Sequence, residues 1–112
     1  MDIATVAVLC AEARAGGLHY TGHFERRLFD RDMPGREAIR YILCDDDPEL
    51  IETDPVGDDR GVSHLIWGIM GDGRVAHLLC SAPPDPLVIT TYWPDTEPDE
   101  WEADFKTRRA RP

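Results

Sequence analysis

Two apolar segments, residues 63–70 and 74–81, flank the tripeptide Gly71-Asp72-Gly73. Short apolar runs interrupted by Asp-Gly read as a β-hairpin, the strongest local constraint in the chain. A two-residue primed turn at Asp72-Gly73 predicts the register: Trp67 opposite Leu78, Leu65 opposite Cys80, and Gly68 opposite His77. Trp67 and Leu78 are then expected to be buried cross-strand neighbours. Both faces of the hairpin are largely apolar, which places it inside a sheet covered on both sides.

Around this hairpin the periodicity changes once. Before residue 49 apolar residues recur at helical spacing. Residues 2–15 read as a first helix, with Ile3, Val6, Ala7 and Cys10 as its stripe and Gly16-Gly17 as its end. Residues 18–20 form a short, extended connection. Thr21 or Gly22 caps a second helix over residues 23–31, and Pro34 opens a third over about 34–44, with Ala38, Ile39, Ile42 and Leu43 inward. After residue 49 the pattern is that of strands: 49–53 at an edge, a loop over 55–61, the hairpin, a break at Pro83-Pro84-Asp85-Pro86, and a last strand over 87–93. Residues 98–106 are expected as a short helix pairing Trp101 with Phe105, and the tail from Lys106 as frayed. The predicted fold is α+β, with N-terminal helices packed on a single antiparallel sheet of about four strands.

A chain of 112 residues is expected to be one domain, 1–112. No apolar run reaches the roughly 20 residues of a membrane span. No basic segment precedes the first apolar residues, so the N-terminus does not read as a secretory signal. Cys10, Cys44 and Cys80 are odd in number and form no CxxC pair, which fits a reducing cytoplasm.

The net charge of −10 opposes nucleic-acid binding. It is unevenly distributed. Residues 45–59 carry eight acids and no base, and residues 95–104 carry six acids and no base, so the remainder holds eight acids against all 12 bases. A basic patch beside acidic segments is one consequence; arginines paired with the chain's own acids is the other.

Three groups of residues invite a chemical reading. His23, Arg27 and Arg31 are spaced by four and four, so on a helix they form one polar stripe beside the apolar Phe24 and Leu28. An imidazole between two permanent cations suits an anion, above all a phosphate. The alternative is a solvated helix face with an ordinary Arg26–Asp30 pair. His77 in an apolar strand, facing Gly68, is either a hydrogen-bonded core residue or a ligand-facing one. Tyr92, near the end of the last strand, either packs its ring or donates its hydroxyl. His77-x-x-Cys80 resembles a metal-ligand pair, yet residues three apart on a strand face opposite ways, and Asp45-Asp46-Asp47 lacks calcium-loop spacing, so no metal is expected. No phosphate loop, dinucleotide fingerprint or GxSxG is present, and no cofactor is expected.

The order of short motifs is nevertheless distinctive. Tyr20-Thr21-Gly22-His23 with Arg27 and Arg31 makes an H-x-x-x-R-x-x-x-R pattern. Arg74-Val75-Ala76-His77 makes an R-x-x-H strand, and residues 88–94 an I-T-x-Y-x-P strand. Over residues 18–108 the chain resembles the domain-of-unknown-function 4258 family, grouped with BrnT and RelE/ParE-like toxins. The resemblance implies a toxin of a type II toxin–antitoxin system, with metal-independent ribonuclease activity and an antitoxin partner. Carried over by position, the catalytic set is His23, Arg27, Arg31, His77 and Tyr92, and Arg26, Lys106, Arg108 and Arg109 would bind RNA or another anion. The alternative is a non-catalytic member that binds a small anion or a protein partner. Either way His23, Arg27, His77 and Tyr92 are expected to converge on one pocket, with both histidines lowered in pKa by the arginines.

Overall fold

The computed structural model describes residues 3–16, 18–26, 33–45, 48–58, 61–81 and 87–109. The elements in chain order are α1 (Ile3–Ala15), β1 (His19–Tyr20), α2 (Gly22–Arg26), α3 (Arg36–Asp45), β2 (Glu49–Asp58), β3 (Gly61–Ile69), β4 (Val75–Ser81), β5 (Leu87–Tyr92) and a 3-10 turn, Pro94–Thr96. The expected α+β division holds, but the sheet is mixed and has five strands, in the order β1-β5-β4-β3-β2. The extra strand is the connection before α2: His19 and Tyr20 run parallel to Leu87 and Val88 of β5. Two residues carry no periodicity of their own, so only their partner makes them a strand.

Thr21 explains why the chain turns into α2 there. Its Oγ1 accepts the Phe24 amide at 3.1 Å and donates to the Ile89 carbonyl at 3.0 Å. One buried hydroxyl thus caps the helix and ties it to β5. Thr91 makes the equivalent tie for α3, its Oγ1 donating to the Pro34 carbonyl at 2.6 Å. Residues 27–32, and with them the second half of the expected 23–31 helix, lie outside the described residues.

The three helices cover one face of the sheet. Leu9, Phe24, Ile39, Ile42 and Leu43 meet Ile66, Ala76, Leu78, Cys80 and Val88, all buried. Gly68 belongs to this face. A Cβ on it would stand 2.3 Å from Ile42 Cγ2, so the glycine is what lets α3 lie against β3.

The hairpin forms, but with a register one residue away from that of a two-residue turn. Gly73 donates to the Met70 carbonyl at 2.9 Å, and Met70 donates to the Arg74 carbonyl at 2.8 Å. Gly73 has φ +91, and Asp72 Oδ1 accepts the Arg74 amide. This is a three-residue loop with a left-handed glycine, the commonest alternative to the primed turn. Trp67 therefore pairs with His77, Ile66 with Leu78, and Gly68 with Ala76. Trp67 and Leu78 point to opposite faces, and Trp67 is half-buried, not core.

Two further expectations change. β2 continues through the predicted loop to Asp58. No helix forms over residues 98–106. There the chain turns back on itself, Trp101 bridging Arg108 and Glu102 donating to the Thr107 carbonyl at 2.8 Å. Residues 106–109 are anchored in this strap, not frayed.

Candidate functional site on the open face

Because side chains alternate along a strand, the register decides which residues share the face away from the helices. One row runs across the sheet as Glu49, Trp67, His77 and Tyr92, and the next as Glu52, Leu65, Leu79 and Thr90. The strap of residues 97–109 lies over the first row. Trp67 Nε1 donates to the Asp104 carbonyl at 3.0 Å. Lys106 Nζ sits 2.9 Å from Glu49 and 4.2 Å from the Trp67 ring centre.

His77 is fully buried at the centre of this arrangement. Its Nε2 lies 2.7 Å from the Phe105 carbonyl oxygen and its Nδ1 3.1 Å from the Tyr92 hydroxyl. A carbonyl only accepts, so Nε2 carries the proton and Nδ1 accepts from Tyr92. Trp101 packs edge-on to the imidazole at 4.5 Å. Phe105, whose carbonyl closes the site, has φ +56, uncommon for a residue other than glycine. Burial pushes the His77 pKa below its ordinary value. The Phe105 carbonyl and Glu52 oppose that shift, and Arg108 adds to it least. Burial likewise pushes the Tyr92 phenol up to about 12. At neutral pH the pair is therefore a neutral imidazole accepting from a neutral phenol.

Beside it a groove of about 540 Å³ is lined by Glu52, Thr53, Ser63, Leu65, Leu79, Tyr92 and Arg108. Arg108 spans the groove as a fork, 2.7 and 3.1 Å from the two Glu52 oxygens, and stacks over Trp101 at 4.5 Å.

Of the residues expected to act together, the structure unites His77 and Tyr92. His23 lies on α2, in the helical layer on the other side of the sheet from His77, and its side chain is outside what is described. Arg27 and Arg31 are outside the described residues. The expected anion-binding set is divided: Arg26 is on α2, while Lys106, Arg108 and Arg109 are in the strap, where Arg109 Nε donates to the Trp101 carbonyl at 2.6 Å. His64 pairs with Cys80 and lies on the other face of the sheet from His77. Cys80 is enclosed in the helical core, where burial pushes its thiol up to about 12, and it cannot share an ion with His77. Among the described residues no group of three or more His, Cys, Asp or Glu could hold a metal ion. Among the described residues no helix is long and apolar enough to cross a membrane.

Sequence reasoning missed Glu52 and Trp101. Glu52 was legible only as one acid in an acidic run; a bulge at Ile51 sets its facing. The i, i+4 spacing of Trp101 and Phe105 reads as helical, and only the path of the strap puts Trp101 against His77.

The family model for a domain of unknown function (DUF4258) matches residues 20–93. The chain belongs to this family. No curated protein and no solved structure matches it. The DUF4258 segment runs from Tyr20, the second residue of β1, through β5, and so includes both His77 and Tyr92. It excludes α1 and the strap, so Trp101, Phe105 and Arg108 complete the site from outside the matched region.

Proposed function

We propose that the protein is a metal-independent RNA endonuclease, akin to the BrnT and RelE/ParE-like toxins in fold, and that it works in the cytoplasm under the control of an antitoxin. The observation that carries this reading is the Tyr92–His77 hydrogen bond at the edge of an open groove that also holds a guanidinium. His77 is enclosed, so Tyr92 is the group that meets a substrate. A ribose 2′-hydroxyl set against Tyr92 can give its proton to the phenol oxygen while Tyr92 passes its own to the neutral His77 Nδ1. The Phe105 carbonyl then supports the imidazolium from its other side. The 2′-oxygen attacks phosphorus, and the leaving 5′-oxygen takes a proton from water in the groove.

Arg108 would stabilise the crowded phosphate. It must first exchange Glu52 for the phosphate. The pair is bidentate and Glu100 adds a second acid at 3.6 Å, yet the Arg108 and Glu52 side chains are 50% and 33% exposed, so solvent screens the pair and a phosphate offers the same two-oxygen fork. The two acidic segments border this groove, 45–59 through Glu52 of β2 and 95–104 through the strap, so Arg108 would hold the phosphate against neighbouring carboxylates.

The test is cleavage of a mixed-sequence RNA by the purified protein in EDTA. The wild type is expected to cut and to leave 2′,3′-cyclic ends. Tyr92→Phe keeps the ring and should be slower by about 10²–10⁴-fold. Intact RNA, or equal cutting by both proteins, overturns the proposal. One observation favours the non-catalytic alternative: Lys106, Arg108 and Arg109 are each already held by an acid or a carbonyl. On that reading neither protein cuts RNA.

A further inference from the structure

The helical side carries a second concavity that the function above does not use. It measures about 240 Å³ and is lined by Ala13, Gly16, Leu18, Tyr20, Arg36 and Arg40. Arg36 and Arg40 are four apart on α3, so their side chains rise from one stripe of the helix.

The chemistry of this cleft is cationic. The Arg36 guanidinium lies 5.1 Å from the Tyr20 ring centre, and Tyr20 stacks in turn on Phe24 at 5.1 Å. Among the described residues Arg36 has one carboxylate at ion-pair range, Glu25, at 3.8 Å, with both side chains more than half exposed. That distance is at the limit of an ion pair and too long for a hydrogen bond. Arg40 has no ion-pair partner among the described residues. The end of α1 contributes a partial negative charge of about half a unit at Ala13 and Gly16, well short of cancelling two guanidiniums. Burial raises the Tyr20 phenol, with Arg36 and Arg40 pulling it back, so the hydroxyl keeps its proton and remains a donor beside both cations.

We propose that this cleft binds a phosphate dianion, with Arg36 and Arg40 as its charged donors and the Tyr20 hydroxyl as a third. Two full positive charges match a dianion better than a single phosphodiester charge. A concave space of this size suits the terminal phosphate of a small molecule more than the continuous backbone of a polymer. α1, which forms one wall, lies outside the matched DUF4258 segment, so the cleft is closed by an element that the family model does not include.

The test is an NMR titration of the full chain at low ionic strength with inorganic phosphate, adenosine 5′-monophosphate and adenosine. Phosphate and the nucleotide are expected to shift the amides of Leu18, Tyr20 and α3, leaving Trp67 and His77 unmoved, and adenosine to shift none. Equal affinity for the first two identifies free phosphate as the ligand; tighter nucleotide binding identifies a phosphate monoester. Arg40→Gln, an exposed position, should weaken either by about tenfold, the loss of one charge-assisted contact. Arg36→Gln should do the same. The absence of shifts at millimolar phosphate, or equal affinity in the wild type and the Arg40→Gln variant, overturns the proposal. The amides expected to shift lie off the open face, so the result is independent of RNA cleavage.

Discussion

The two faces of the sheet are covered in different ways. On one, α1, α2 and α3 bury large apolar side chains such as Phe24, Ile39, Ile42 and Leu78, each with no exposed surface. On the other, a strap without regular structure is held by directional contacts: a Trp67 hydrogen bond, two His77 contacts, and ion pairs from Lys106 and Arg108. Apolar burial is cooperative and roughly proportional to area, whereas exposed ion pairs are individually small. One face is therefore built to define the fold. The other can open locally while the fold persists.

The largest effect should separate the faces most cleanly. Phe24→Ala empties the centre of the helical core and should cost about 3–5 kcal/mol, most of a small domain's stability. Trp101→Ala, though Trp101 is 2% exposed, should release the strap. In hydrogen exchange the amides of Glu102, Phe105 and Arg109 would then lose protection while β3 and β4 keep theirs. If β3 and β4 lose protection too, the faces are not independent.

A smaller effect tests the close approach of α3. Gly68→Ala drives a Cβ into Ile42 and should cost about 1–3 kcal/mol in denaturant unfolding. Gly71→Ala is the control. Its Cβ would stand at an ordinary 3.6 Å from the Tyr41 hydroxyl, and the change should stay within about 0.5 kcal/mol. Equal midpoints for the two variants would mean that α3 is not seated on β3 as described.

The smallest effect concerns pH. The folded-state pKa of His77 is depressed below its ordinary 6.5, so the unfolded chain binds this proton more readily. The stability it contributes is complete above pH 6.5 and is lost as pH falls through the folded value. His77→Gln, which keeps a donor for the Phe105 carbonyl, should flatten that part of a stability–pH curve. An unchanged slope would place His77 outside a desolvated site.

The candidate site was legible in part. His77 and Tyr92 stood out as polar residues in apolar strands, and they do meet. Their supposed partner on α2 did not join them, because a helix stripe shows which residues share a helix face but not which side of a sheet the helix covers. Glu52 and Arg108 could not be paired from the sequence, since they are brought together by a bulge in β2 and by the path of the strap.

What the sequence alone determined is what depends on neighbours within a few residues: the change from helices to strands, a helix cap at Thr21 or Gly22, the hairpin at Gly71-Asp72-Gly73 and the apolar character of β4 on both faces. What only the tertiary structure decided is what depends on distant partners: the parallel pairing of β1, the strap, and a hairpin register in which one residue changes what faces what. That last difference is the decisive one. Strand side chains alternate with a period of two, so a loop one residue longer turns Gly68 from the partner of His77 into the seat of Ile42. Local chemistry at Asp72-Gly73 permits both loops. The packing of α3 against β3 admits one.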